Sequence, residues 1–166
     1  MKISILLPYK ENFSPEYAGA VSLFVKDTNN ISFYKNKIIF FGNTNFKRRY
    51  KINYKNLLLK RTLLNSTSKR YIKEFLNKEL ENPSDLIEIH NRPVYVKPIY
   101  EKLKSNIILY YHNDPLSMNA SQSVADREFL LNNCKFIIVI SEWIKKRLLK
   151  NLNVTGDILK KIHVIP

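Results

Sequence analysis

The chain holds one cysteine, Cys134, and a lone thiol closes no internal disulfide. With no paired cysteines and no H-E-x-x-H run, neither common zinc pattern has its ligands, and no metal is expected. Glycine is nearly as scarce, three residues in 166. No G-x-G-x-x-G follows the first apolar run and no G-x-x-x-x-G-K-[ST] occurs, which excludes the dinucleotide fingerprint and the P-loop. A serine nucleophile elbow is missing as well. The first apolar run ends without an acidic pair, against a phosphate-receiving regulator. No stretch approaches the ~18 uncharged apolar residues that a membrane span requires. The start, MKISILLPYK, is interrupted by Pro8 and Lys10 too early for a secretory signal. A reducing, cytoplasmic compartment is the simplest expectation.

Acidic residues are also few: 14 against 28 lysines and arginines, a net charge of +14. The basic residues gather in KRRYK (47–51), KNLLLKR (55–61), KRYIK (69–73), KKRLLK (145–150) and KK (160–161). Such a field attracts anions, whether nucleic acid, lipid headgroups or phosphorylated sugars. In a chain this rich in lysine, the same residues also serve as solvated surface. What the chain does have is apolar content, 45% of its residues. At this length one domain is expected, with roughly 70% of the unfolded chain's surface buried on folding.

The apolar residues come in short solid runs. Ile3 to Leu7, Ile38 to Phe41, Leu86 to Ile89, Ile107 to Tyr111, Phe136 to Ile140 and the terminal IHVIP read as strands. Between them lie helical patterns: AVSLFVKD, ended by Asn29-Asn30; residues 55 to 81, broken near Asn65 to Ser68; residues 94 to 104; a helix opened by a capping box at Ser123 to Asp126; and EWIKKRLLK, capped by Ser141. In the second, Tyr71, Ile72, Phe75, Leu76 and Leu80 share one face. Solid apolar strands alternating with helices predict a doubly wound, Rossmann-like α/β domain over 1–166, with a parallel sheet covered on both faces.

Two strands end in the same phrase. LIEIHNRP closes at Pro93 and ILYYHNDP at Pro115. Ligands of open parallel sheets bind beyond the carboxyl ends of the strands, where His90 and His112 both fall. Turn chemistry alone explains Asn91, Pro93, Asn113, Asp114 and Pro115. It does not explain a histidine placed twice. Arg92 and Arg127 are candidate anion grips. Gly19, between Ala18 and Ala20, is a candidate for close backbone approach to a ligand at a helix start, in a loop that also carries Lys10 and Glu11.

These residues resemble the N-terminal lobe of GT-B glycosyltransferases of the retaining group called glycosyltransferase family 4. The likeness rests on PYKENFSPEYAGA after the first strand, HNRP at 90–93, YYHND at 110–114, VISEWIKKRLL at 139–149 and VIP at 164–166. It implies one lobe of a two-lobe enzyme. A second domain, expected to lie outside this chain, would hold the nucleotide-sugar, and no other cofactor is implied. His112 matches the histidine beside the reacting sugar and is the catalytic candidate. Gly19, His90, Asn91, Arg92, Asn113, Asp114 and Ser141 are candidates for contacts with acceptor or donor. Relatives often carry two glycines where this chain has Ala-Gly-Ala. The acceptor implied is a saccharide or a lipid-linked one in lipopolysaccharide or other surface-polysaccharide synthesis. Basic segments at 47–73 would rest on the inner face of an anionic membrane. Two other readings fit the composition: a non-catalytic nucleotide- or sugar-binding module, and a basic nucleic-acid-binding domain. The second lacks any reader motif, so no nucleic acid is expected.

Overall fold

The computed structural model describes residues 1–59 and 66–165. It divides into two compact units, Met1–Ile87 and Glu88–Pro166.

In the first unit, β1 (Ile3–Leu6), β2 (Ile38–Gly42) and β3 (Tyr54–Asn56) run parallel in the order β3-β2-β1. The helices are α1 (Ala20–Ile31) and α2 (Thr67–Glu81). Strand alternation sends neighbouring side chains to opposite faces. Ile3 and Ile5 of β1 and Phe40 of β2 pack with Phe13 and with Val21 and Val25 of α1. Ser4 points the other way, to Glu79 of α2, and Phe41 meets Phe75 of α2 edge-on at 5.2 Å. Helices therefore cover both faces.

Residues 55–59 depart from the helix expected there. Tyr54–Asn56 pair with Phe40–Gly42 instead, and the Tyr54 ring stacks on Phe13 at 4.6 Å. Sheet pairing and aromatic packing override a helical pattern made mostly of lysine and leucine. The rest of that expected segment, 60–65, lies outside the described residues. Helix α2 begins where Ser66 accepts a hydrogen bond from the Lys69 amide. Its buried stripe is Tyr71, Ile72, Phe75 and Glu79, whereas Leu80 is 54% exposed. Steps of four from Tyr71 through Phe75 reach position 79, so the carboxylate falls inside. Ser4 Oγ at 2.5 Å and the Ser84 amide at 2.9 Å donate to it. Helix α1 likewise runs through Asn29-Asn30 to Ile31, because Asn29 is buried against the unit instead of ending the helix.

Strand β4 (Leu86–His90) starts in the first unit, where the Asp85 and Leu86 amides donate to the Lys2 carbonyl. It ends in the second, where the Asn91 amide donates to Tyr110. The second unit continues with α3 (Val96–Leu103), β5 (Asn106–Tyr111), α4 (Val124–Asn133), β6 (Phe136–Val139), α5 (Glu142–Leu149), α6 (Gly156–Leu159) and β7 (Ile162–Val164). Strands β5, β6 and β7 pair parallel in that order. The strand order is β3-β2-β1-β4-β5-β6-β7, a seven-stranded parallel sheet with helices on both faces, the fold class expected from the apolar runs. The capping box at Ser123 and Asp126 forms as expected. Among the described residues, no helix is long and apolar enough to cross a membrane.

Candidate functional site

The second unit gathers polar groups at the carboxyl ends of β4 and β5. Glu88 and His90 are two residues apart on β4, and Tyr110 and His112 two apart along β5, so each pair shares a face. His90 is 0% exposed. Its Nε2 lies 2.6 Å from Glu88 Oε1 and its Nδ1 lies 2.9 Å from Nε2 of His112. The Tyr110 and His112 rings stack on it at 4.7 and 5.3 Å. The sequence delivers both imidazoles to one place, with His90 the buried member and His112 the half-buried one.

Asn91 joins the two strand ends. Its backbone turns into the left-handed region at φ 53°, which asparagine tolerates better than most residues. Its Oδ1 accepts from the His112 amide at 2.9 Å. Arg92 folds back, Nη1 donating to the Asn91 carbonyl at 2.8 Å. His90, Asn91, Arg92 and His112 thus form one connected cluster. Asn113 is exposed beside it. Asp114 turns toward α5, where Arg147 donates through Nε at 3.1 Å and through Nη2 at 2.7 Å. That guanidinium holds the Asp114 carboxyl below its ordinary range. Ser141 caps α5, its Oγ accepting from the Ile144 amide at 3.2 Å.

Gly19 belongs to the first unit, where it caps α1 with an extended backbone. The Glu11 carboxylate accepts from the Ser22 amide at 3.0 Å, so the start of this helix already faces an anion. A Cβ at position 19 would fall 2.0 Å from Glu11 Oε1, and this contact is what the glycine admits. Arg127, read from sequence as an anion grip, is 2% exposed and donates to the carbonyls of Ser121, Gln122 and Lys150. It is a buried clamp, because its helix presents it to the carbonyls of the loop entering α4 and of the end of α5.

Sequence reasoning missed Glu88, Tyr110 and Arg147. The first two carried a signal, the x-H spacing of two residues in LIEIH and LYYH, which puts each on its histidine's face. Arg147 carried none, being 33 residues from Asp114. Among the described residues, no group of three or more His, Cys, Asp or Glu is placed to hold a metal ion.

The cluster can present a neutral imidazole. Burial, and secondarily the neighbouring His90, push His112 down to about 4. Between pH ~6.5 and about 4 the unfolded chain binds a proton at His112 that the folded chain refuses. Stability therefore falls as pH drops through that window. Allowing for its partial exposure, the loss from this group is about 1–2 kcal/mol. Urea midpoints measured at pH 7 and 4.5 should show the acid loss shrinking by that amount in His112→Asn; an equal loss in both proteins would contradict the assignment.

No family model matches the chain. In sequence, it is 32% identical over 98 residues to "Putative glycosyltransferase YtcC" of Bacillus subtilis (strain 168), a match covering 57% of this chain and 24% of that protein. In structure, it matches sucrose-phosphate synthase of Thermosynechococcus elongatus with TM-score 0.68 at 12% identity, over 100% of this chain and 48% of that one. It also matches the lipopolysaccharide outer core galactosyltransferase WaaB in its apo form with TM-score 0.63 at 15% identity, over 99% of this chain and 45% of that one. The chain spans about half the length of these solved proteins and a quarter of YtcC. It is similar in sequence to a glycosyltransferase and carries the fold of one lobe of the GT-B glycosyltransferases.

Proposed function

We propose that this chain is the acceptor-side lobe of a retaining glycosyltransferase, similar to glycosyltransferase family 4. The enzyme moves a sugar from a nucleotide-sugar to a saccharide or lipid-linked acceptor in surface-polysaccharide synthesis. The bond from the anomeric carbon to the leaving phosphate breaks, a bond to an acceptor hydroxyl forms, and that hydroxyl's proton leaves. A second α/β lobe holds most of the donor. The observation that carries this reading is His112: a neutral imidazole at the carboxyl end of a central strand, fixed from behind by Asn91 and His90. Such a group contacts a sugar hydroxyl and steadies the electron-poor anomeric carbon as the phosphate departs. Arg92, Asn113 and Ser141 follow the carboxyl ends of β4, β5 and β6 and are assigned to substrate contacts.

The similarity to YtcC and the shared fold with WaaB support transfer of a sugar and suggest a lipopolysaccharide-type acceptor. The +14 charge suits an anionic, membrane-associated acceptor at the inner leaflet. The test is an assay of the two-lobe protein against a panel of nucleotide-sugars with lipid-linked and free saccharide acceptors. Release of nucleotide matched by a glycosylated acceptor with retained anomeric configuration is the expected result. Hydrolysis or transfer with none of the panel, together with nucleic-acid binding that weakens steeply with salt, would replace this reading with the basic-domain one.

A further inference from the structure

We propose that the turn from Ile31 to Lys37 docks this chain on an anionic lipid bilayer, with Ile31 and Phe33 entering the interface and Lys35, Lys37 and Lys51 meeting the phosphates. The membrane-associated acceptor of the proposed function gives such docking a purpose, but the surface itself does not depend on sugar transfer.

Helix α1 ends where the Ser32 amide donates to the Asn29 carbonyl at 3.2 Å. The chain then turns tightly. The Lys35 amide donates to the Ser32 carbonyl at 3.3 Å, the Lys37 amide to the Tyr34 carbonyl at 2.7 Å, and Ser32 Oγ accepts from the Tyr34 amide at 3.1 Å. These bonds shape the turn at the amino end of β2, the edge of the first unit's sheet opposite its strands' carboxyl ends. Phe33 is fully exposed, Ile31 is 84% exposed and Tyr34 47%. Single exposed apolar residues are ordinary, but three within four positions make a patch. No Asp or Glu occurs from 28 to 73, while 12 lysines and arginines do. Asp27, the acid just before, is matched by Lys26 at 2.8 Å. Lys35, Lys37 and Lys51 are exposed. Lys35 and Lys51 line a hollow of about 400 Å³ with Asn29, Asn36 and Asn53. Asn29 is 7% exposed, and its Oδ1 has no hydrogen-bond partner among the described residues. The hollow pairs two cations, suited to a phosphate, with an acceptor still lacking a donor. Lys37 lines the neighbouring hollow, where Asp85 accepts from the Lys2 amide at 2.6 Å and lies 3.7 Å from the Met1 amino group. A lipid surface uses both features: the apolar tip enters the acyl boundary while the flanking lysines stay at the phosphates. Nucleic acid would use the cations and leave Ile31 and Phe33 in water. A second copy of this chain would bring its own positive field against them.

The experiment is sedimentation of the 166-residue chain with phosphatidylcholine vesicles, with and without phosphatidylglycerol, at physiological salt. The chain is expected to bind the mixed vesicles and not the neutral ones. Phe33→Ser should weaken binding about tenfold or more, from the lost burial of one aromatic side chain. Its melting temperature should hold, because that side chain is fully exposed. Lys35→Gln and Lys51→Gln combined should weaken binding about 25-fold, roughly fivefold per lysine. Lys102→Gln and Lys146→Gln combined, at exposed positions of α3 and α5, remove equal charge and should cost at most about a few-fold. Equal losses in the two double variants would assign binding to the overall +14 charge and overturn the proposal, as would a Phe33→Ser chain that binds like wild type. No uptake by mixed vesicles overturns it outright, and salt-steep binding to duplex DNA in its place would name the other partner. Vesicle binding by a chain whose two-lobe protein glycosylates no acceptor sinks the transferase reading and leaves the surface standing. Transfer to free saccharides without vesicle binding does the reverse.

Discussion

In the two-lobe enzyme, His112→Ala is expected to lower kcat by about 10²–10³-fold, the usual cost of losing one preorganised group aimed at developing charge. KM for the nucleotide-sugar should move little, because the second lobe makes most of the donor contacts in the proposed arrangement. A fall in kcat at near-constant KM marks an interaction made mainly in the transition state. Alanine also removes the partner of the His90 Nδ1 at 2.9 Å. One buried imidazole nitrogen left without its hydrogen bond costs about 1–3 kcal/mol of stability. A thermal melt run alongside the kinetics separates the effects, since the folded fraction at assay temperature scales kcat only when that loss is large. A variant that melts lower yet keeps wild-type kcat would remove His112 from the chemistry and leave it a structural residue.

Much of this was legible beforehand, for reasons that differ by residue. Runs such as LIEI and IILYY are short and mostly apolar, which suits interior strands, and a strand's end dictates its rim. That placed His90 and His112 on one rim, while the adjacency of β4 and β5 that brings them together is a fact of the fold. Depth is a different matter: a strand reading gives the face of a side chain, not its distance from solvent. His90 proved to be fully buried and His112 half-buried. The Glu88 spacing in EIH was the available sign that His90 had an inward partner. Asn91 and Asp114 read correctly as turn formers, but what they bond, the His112 amide and Arg147, is set by elements 21 and 33 residues away. The helix expected over 55–59 failed because leucine and lysine suit a helix locally, while the stacking of Tyr54 on Phe13 is a tertiary fact. Glu79 shows the same limit. A glutamate at that position reads as surface until Ser4 and Ser84 are known to face it.

Arg127 was the residue most misread, and it supports the largest stability effect expected here. Its Nη1 donates to Ser121 and Gln122 at 3.2 and 2.6 Å and its Nη2 to Lys150 at 2.7 Å. These carbonyls belong to the loop entering α4 and to the end of α5, so one guanidinium ties two chain segments that share no strand pairing. Arg127→Met keeps the length and apolar stem but strands three carbonyls without their donor. Each unsatisfied acceptor costs about 1–2 kcal/mol, while relief from burying a charge offsets part of the sum, leaving roughly 3–4 kcal/mol of destabilisation. Against a total stability of ~5–15 kcal/mol, that is a large fraction. Arg127→Lys should recover only part of it, because an ammonium is a compact donor that cannot span carbonyls set around two different nitrogens of a planar guanidinium. Urea unfolding followed by circular dichroism measures both, with the midpoint expected to fall steeply for methionine and less for lysine at a common slope. A methionine variant with the wild-type midpoint would show that the carbonyls find water or other donors, and that the clamp holds nothing the loop does not hold by itself.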